Sequence, residues 1–440
     1  MALNGATSMS PPAVPGGGQH NEAVPLVLVL GFPDSVHVAR WLKTVGGRGI
    51  RFVILPVYDA ALSREFGPSR LISGPSDLIQ MPDHEVGVFD ISSVPPEEIA
   101  QVQEELQYVP WKPDWLAHLK MTHPAHVAAA IRRLRPAVVH SLVVQFAGYL
   151  AFASRQYLKQ EFPTWLLSNW GSDIFLYRKL QEHEAKIREI LCMIDGYHAE
   201  CDRDLRIATQ MGFRRFAFPV IPASGGMDFS RFQPLHTFER PSSRREILIK
   251  GYHGWAGRAL HILAAIHMTA DVLRHYKIRI NLAGQAVSET ASAIAETDGL
   301  DIAIEPYLEN HQDALLRLAN ARIVVGMGIS DGISTTLLEA MAVGTFPIQG
   351  CNSCGNEWIE AGRTGFLVSP HDVGGLAKAI RRAVEDDSLV DAAAEPNRRV
   401  VENRWDSRIN GEIAVRSYKI LIESARKRLP DVELQTTANS

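Results

Sequence analysis

At 440 residues the chain exceeds what one core holds, so two domains of about 200 residues each are expected. A hydrophobic share of 46% beside 21% charged residues suits a soluble globular enzyme, and a net charge of −4 excludes a phosphate-tracking basic stripe, hence a nucleic-acid partner. No apolar run approaches the ~20 residues that span a bilayer.

Residues 1–23 combine Pro and Gly with neither the basic nor the apolar region of a secretory signal and read as a disordered tail. From Val24, short β-branched runs alternate with amphipathic stretches, the pattern of βαβ units on a parallel sheet. The predicted strands of the first half are VPLVLVLG, IRFVILPV, VGVFDI, PAVVHSL, PTWLLSNW, DGYHAE and RFAFPVI. Between the first two lies SVHVARWLKTVGG, a predicted helix with Ser35 as N-cap, Val38, Leu42 and Val45 on its apolar side, and Gly46 and Gly47 as its stop. Two basic clusters, Arg132, Arg133 and Arg135, then Arg426, Lys427 and Arg428, read as solvated helix ends or as a weak attraction to an anionic membrane surface.

Ser224 to Glu246, rich in Gly, Pro, Ser and charge, breaks the rhythm as a linker would. A second alternation follows, with predicted strands ILIKGY, KIRINLAG, LDIAIEPY, ARIVVGMG, TFPIQG and GFLVSP. The expected architecture is α/β: two Rossmann-like doubly wound domains, 24–235 and 236–405, with a cleft at the carboxyl ends of their strands. A last amphipathic stretch, 406–428, has no strand after it and must pack on its own domain or bridge back to the first; 429–440 reads as a tail. Four cysteines are too few for a disulfide framework and fit a reducing cytoplasm; the CNSC pair has no second CxxC and reads as structural thiols, so no metal is expected.

The chemistry concentrates in SDGISTTLLEAMAVGTFPIQG, 330–350. Gly332 permits a tight turn, Ser334 is a predicted N-cap, and the free N–H groups from Ile333 to Thr335 and Thr336 make an anion site at a helix start. Glu339 falls on a face that reads as buried, where a carboxylate needs a partner. That partner is a nearby cation or a pair of vicinal hydroxyls such as a ribose. Asp331 would then serve the far side of a diphosphate.

This block resembles the donor-binding signature of retaining GT-B glycosyltransferases of the family 4 type: an acidic residue, seven others, then Glu in LEAMAVG. Further matches are Glu357, Gly362 and Gly365, the SVHVARW helix, RPAVVHSL, NWGSDIF, and Gly226, Met227, Asp228, Phe232 and Pro234 at a hinge. The first acidic position is Asp331 where Glu is commoner. The resemblance implies a metal-independent transfer from a nucleotide sugar, UDP- or GDP-linked and without other cofactor, to a glycan or lipid-linked acceptor, in the cytoplasm or peripherally at the inner face of a membrane. No DxD-type acidic pair ends a strand, which agrees with metal independence. A cation must neutralise the leaving diphosphate. Tyr252 stands where the family has Arg, so Arg258, then Lys250, are the expected clamp.

The resemblance also implies that Asp173, His140 and, on the acceptor side, His37 touch the transferred sugar or the acceptor. From the residues alone, His140 reads equally as a core histidine and Asp173 as a helix N-cap. The alternative functions are other GT-B chemistry, such as a nucleotide-sugar epimerase, and a catalytically inactive scaffold subunit.

Overall fold

The computed structural model describes residues 24–103, 118–230, 239–306, 308 and 310–427. Phe232, Pro234, Arg428 and both predicted tails lie outside these.

Eight parallel strands form the first sheet: β1 (Leu26–Gly31), β2 (Arg51–Pro56), β3 (Ser69–Ile72), β4 (Val86–Phe89), β5 (Val138–Leu142), β6 (Thr164–Ser168), β7 (Gly196–His198) and β8 (Phe216–Ala217). Their order is β3-β4-β2-β1-β5-β6-β7-β8. Six parallel strands form the second: β9 (Glu246–Lys250), β10 (Lys277–Asn281), β11 (Asp301–Ile304), β12 (Ala321–Gly326), β13 (Phe346–Gly350) and β14 (Phe366–Val368), in the order β11-β10-β9-β12-β13-β14. Both sheets are covered on two faces, which is why their central strands are apolar throughout. In β1, Leu26, Leu28 and Leu30 enter one core while Val27 and Val29 enter the other; in β9, Ile247 and Ile249 part from Leu248 in the same way.

All thirteen predicted strands are present. The one not anticipated, β3, is an edge strand of four residues whose Leu71 is 60% exposed, so it carries no apolar signature. A second departure concerns IFLYRKLQEHEAKIREIL, 174–191, expected as one helix. It forms turns and a 3₁₀ segment first, and the α-helix begins at Gln181.

The helix Val36–Val45 starts as its sequence dictates, with the Ser35 hydroxyl accepting from the Val38 N–H and Gly46 following the last turn. Its buried side meets the final helix, Ser407–Arg426. Ala414, Val415, Tyr418, Leu421 and Ile422 of that helix share a core with Val27, Val29 and Trp41, so the chain end completes the first domain. The two crossings between domains touch. Met227 donates its N–H to the Trp405 carbonyl and accepts from the Ser407 N–H.

Of the basic clusters, Arg132 pairs with Glu161 at 3.0 Å and Arg133 with Glu98 at 2.9 Å, so both are engaged within the first domain. Among the described residues no helix is long and apolar enough to cross a membrane.

Candidate active site

Strand order reverses between β1 and β5 in one sheet and between β9 and β12 in the other, and such switch points open a crevice at the strand carboxyl ends. The two crevices face each other. Loops after β1, β5, β9 and β12 together line one cavity of about 640 Å³. Aromatic groups from both sides narrow it, with Tyr177 and Trp255 at 6.2 Å between ring centres.

On the second domain, β12 is followed by the Ser330–Ser334 loop and the helix Thr335–Ala342. Ser334 occupies the N-cap position but makes no side-chain cap bond, contrary to the sequence expectation. The first-turn N–H groups thus stay uncapped by a side chain at a helix end whose Ile333, Ser334, Thr335 and Thr336 line the cavity. Asp331 also lines it, its Oδ1 accepting from the Gly332 N–H at 3.0 Å. Gly332 is pressed against the opposite domain: a Cβ there would meet Glu200 Oε2 at 2.5 Å and the Gly171 nitrogen at 3.1 Å.

Glu339 is only 8% exposed, and its neighbours are two residues the sequence did not single out. His311 donates from Nε2 to Oε1 at 2.6 Å, and the Arg40 guanidinium of the first domain stands 3.9 Å from the same oxygen. Glu339 therefore lies where both domains reach it. Lys250, at the end of β9, lines the cavity, and with Arg40 it supplies the lysine and arginine charge among the described lining residues.

Arg258 does not reach the cavity. The loop after β9 turns Tyr252, Trp255 and Gly257 inward, while the Arg258 guanidinium folds back onto the carbonyls of Gly254 and Gly257 at 3.0 and 2.7 Å. A strand-to-helix distance counted in residues could not reveal this, because the side chain's direction is set by the loop's two bridges, His253 with Arg258 and Gly257 with Gly328.

On the first domain, His37 lines the cavity with its Nδ1 buried and without a hydrogen-bond partner. Burial, then the nearby Arg40 charge, lowers its pKa to about 4, so the ring is neutral at physiological pH. Asp173 lines the cavity too. It does not cap the helix expected after it; its Oδ2 accepts from the N–H groups of Val144 at 2.8 Å and Trp170 at 3.0 Å, fixing the loops after β5 and β6. Burial pushes its pKa up to about 7 against the effect of those two donors. Glu200, unnoticed in the sequence, spans the Gly171 and Ala223 N–H groups, each at 3.1 Å, and burial pushes it up to about 8.

His140 is the clear misplacement. It sits mid-strand in β5, fully buried under the final helix, and does not line the cavity. Its Nδ1 lies 2.7 Å from the Tyr418 hydroxyl and its Nε2 2.7 Å from Ser168 Oγ, which in turn lies 2.9 Å from His198 Nδ1. The ends set the direction. Trp41 Nε1 can only donate to Tyr418, and the Ile221 carbonyl can only accept from His198 Nε2. Neutral histidines then complete an unbroken line in which Tyr418 donates to His140, His140 to Ser168 and Ser168 to His198.

The chain matches two family descriptions: "Glycosyl transferase 4-like" over residues 78–194 and "Glycosyl transferases group 1" over residues 255–402. It is 25% identical over 212 residues to the capsular polysaccharide biosynthesis glycosyltransferase CapM of Staphylococcus aureus; the match spans 46% of this chain and 55% of that relative. Similar solved structures include sucrose-phosphate synthase from Thermosynechococcus elongatus, with TM-score 0.66 and 14% identity over 91% of this chain and all of that one. Anabaena HepE in complex with UDP-glucose has TM-score 0.57 and 12% identity over 90% of this chain and 99% of that one. With one description falling in each domain and the two-sheet fold shared along nine-tenths of its length, the chain belongs to the GT-B glycosyltransferases of the group 1, family 4-like type.

Proposed function

We propose that the protein transfers a sugar, with retention of configuration and without a metal ion, from a nucleoside diphosphate sugar to a hydroxyl of a glycan or lipid-linked acceptor. One observation carries this reading: an uncapped helix start lies between Asp331 and Glu339 and shares a cavity with Arg40 and Lys250. Uncapped amides and two cations suit a diphosphate, and Glu339 suits the vicinal hydroxyls of a ribose. Asp331 then faces the sugar. The UDP-glucose held by HepE supports a UDP-linked donor, and the polysaccharide pathway named for CapM supports a glycan acceptor.

In the transfer, the acceptor hydroxyl approaches the face from which the diphosphate leaves. The anomeric carbon–phosphate oxygen bond breaks as the acceptor oxygen bonds to that carbon, and the acceptor proton passes to the departing phosphate. The protein's part is positioning and charge stabilisation. Helix amides, Arg40 and Lys250 stabilise the leaving diphosphate, and His37, neutral and with an unpartnered Nδ1, orients a hydroxyl. Closure about the two interdomain crossings excludes water. A lipid-linked acceptor carries with it a cytoplasmic site of action, peripheral at the inner face of a membrane.

A thermal-shift screen against UDP-, GDP- and ADP-sugars tests this, followed by product analysis with the donor that binds. Glu339→Ala is expected to stay folded and lose donor stabilisation and turnover, and a chelator is expected to leave wild-type turnover unchanged. No stabilisation by any nucleotide sugar would remove the reading.

A further inference from the structure

Cys201 and Cys354, 153 positions apart, meet across the domain interface with their sulfurs 2.8 Å apart. Cys201 immediately precedes the helix Asp202–Gln210 of the first domain, and Cys354 lies in the loop after β13 of the second. Both are buried, whereas Cys192 and Cys351 are exposed. Cys354 has φ +50°, a left-handed conformation uncommon for a residue with a side chain, held at the turn that brings it to Cys201.

The pair sits inside a set of bonds that joins the domains at the donor loop. Glu357 of the second domain accepts the N–H groups of Asp202 and Arg203, at 3.0 and 3.2 Å, serving as a cap in trans for that helix. Arg203 donates to the carbonyls of Asn352 and Asp331, both at 2.7 Å. A covalent link here would hold Asp331 and Gly332 against Gly171 and Glu200.

We propose that Cys201 and Cys354 form a reversible interdomain disulfide that locks the cleft shut under oxidation. The oxidant is a low-molecular-weight disulfide, RSSR. One cysteine, deprotonated to solvent, attacks a sulfur of RSSR and expels RS⁻, leaving a mixed disulfide. The other, likewise deprotonated, attacks the protein sulfur of that bond and expels the second RS⁻. The two expelled thiolates regain the two protons, so the protein loses two electrons and RSSR becomes two RSH. Contact with Cys354, then burial, pushes the Cys201 thiol well above its ordinary range, which disfavours its thiolate while the two sulfurs are in contact. The bond itself is independent of the transferase reading; its effect on turnover rests on that reading.

The test uses the full chain with Cys192→Ser and Cys351→Ser, incubated with oxidised glutathione, quenched by alkylation and mapped by peptide mass spectrometry. A Cys201–Cys354 linked peptide is expected, together with loss of both titratable thiols. Donor turnover should fall in proportion to the linked fraction and return with dithiothreitol, while adding Cys201→Ser or Cys354→Ser should abolish the sensitivity. Glutathione adducts without the link would overturn the proposal, as would linkage that leaves turnover unchanged. Stoichiometric zinc uptake by the reduced protein, lost in Cys201→Ser, would instead assign Cys201, Cys354 and Glu357 to a metal. Absence of turnover in the reduced protein would count against the transferase reading, and the peptide map would still decide whether the bond forms.

Discussion

Residue by residue, the cavity's charge is divided between the two domains. Lys250 belongs to the second domain, and Arg40 comes from the first. Each charge-assisted contact to a phosphate is worth about 1.5–3 kcal/mol, or roughly 10- to 100-fold in kcat/KM. Lys250→Ala is therefore expected to weaken nucleotide binding and kcat/KM together. Arg40→Ala is expected to lower kcat/KM by a similar factor while leaving UDP affinity nearly intact, since it acts once the domains meet. Steady-state kinetics beside calorimetric nucleotide titration would separate the two, and equal losses of UDP affinity would refute the division. The motif spacing made Asp331, Glu339 and the helix start between them legible. Arg40, His311 and Glu200 were not, because each belongs to a different loop or helix and no motif links them.

At the scale of elements, β5, β6, β7 and the final helix are tied by the line from Trp41 to Ile221. His198 is fully buried and neutral, its pKa lowered to about 4 by burial. An unfolded histidine titrates near 6.5, so between about 6.5 and 4 the unfolded chain binds the proton that the fold refuses. The stability this group contributes is complete above pH 6.5 and is lost as pH falls towards 4, at no more than about 1.4 kcal/mol per pH unit. Asp173 and Glu200 run the other way: their raised pKa values make the fold hold protons better, adding stability as pH falls through 8 and 7. Comparing wild type with His198→Gln cancels those terms. The stability gap between them in urea is expected to narrow from pH 6.5 to 4, and a constant gap would show that His198 is not held neutral.

For the whole molecule, closure depends on how near the two domains come at Gly332. Its neighbour Glu200 is held by two backbone N–H groups and cannot swing aside cheaply. Gly332→Ala is expected to leave both domains folded, with melting shifted by only a few degrees, yet to hold the cleft open and cut kcat far more than UDP affinity. An unchanged kcat would show that the close approach of the domains at Gly332 is not required for turnover.

Much was legible without coordinates: thirteen strands, two doubly wound domains, and a helix start between Asp331 and Glu339. These follow from local rules, the two- and 3.6-residue periods, turn glycines and helix ends, which act over a few neighbouring residues. What tertiary structure decided was direction and partnership across long separations. It turned Arg258 onto its own loop, buried His140 beneath a helix from the chain's end, brought Arg40 to Glu339, and set Cys201 against Cys354. Such contacts arise only when two sheets and their crossings pack together, and the spacing of residues along the chain holds no record of them.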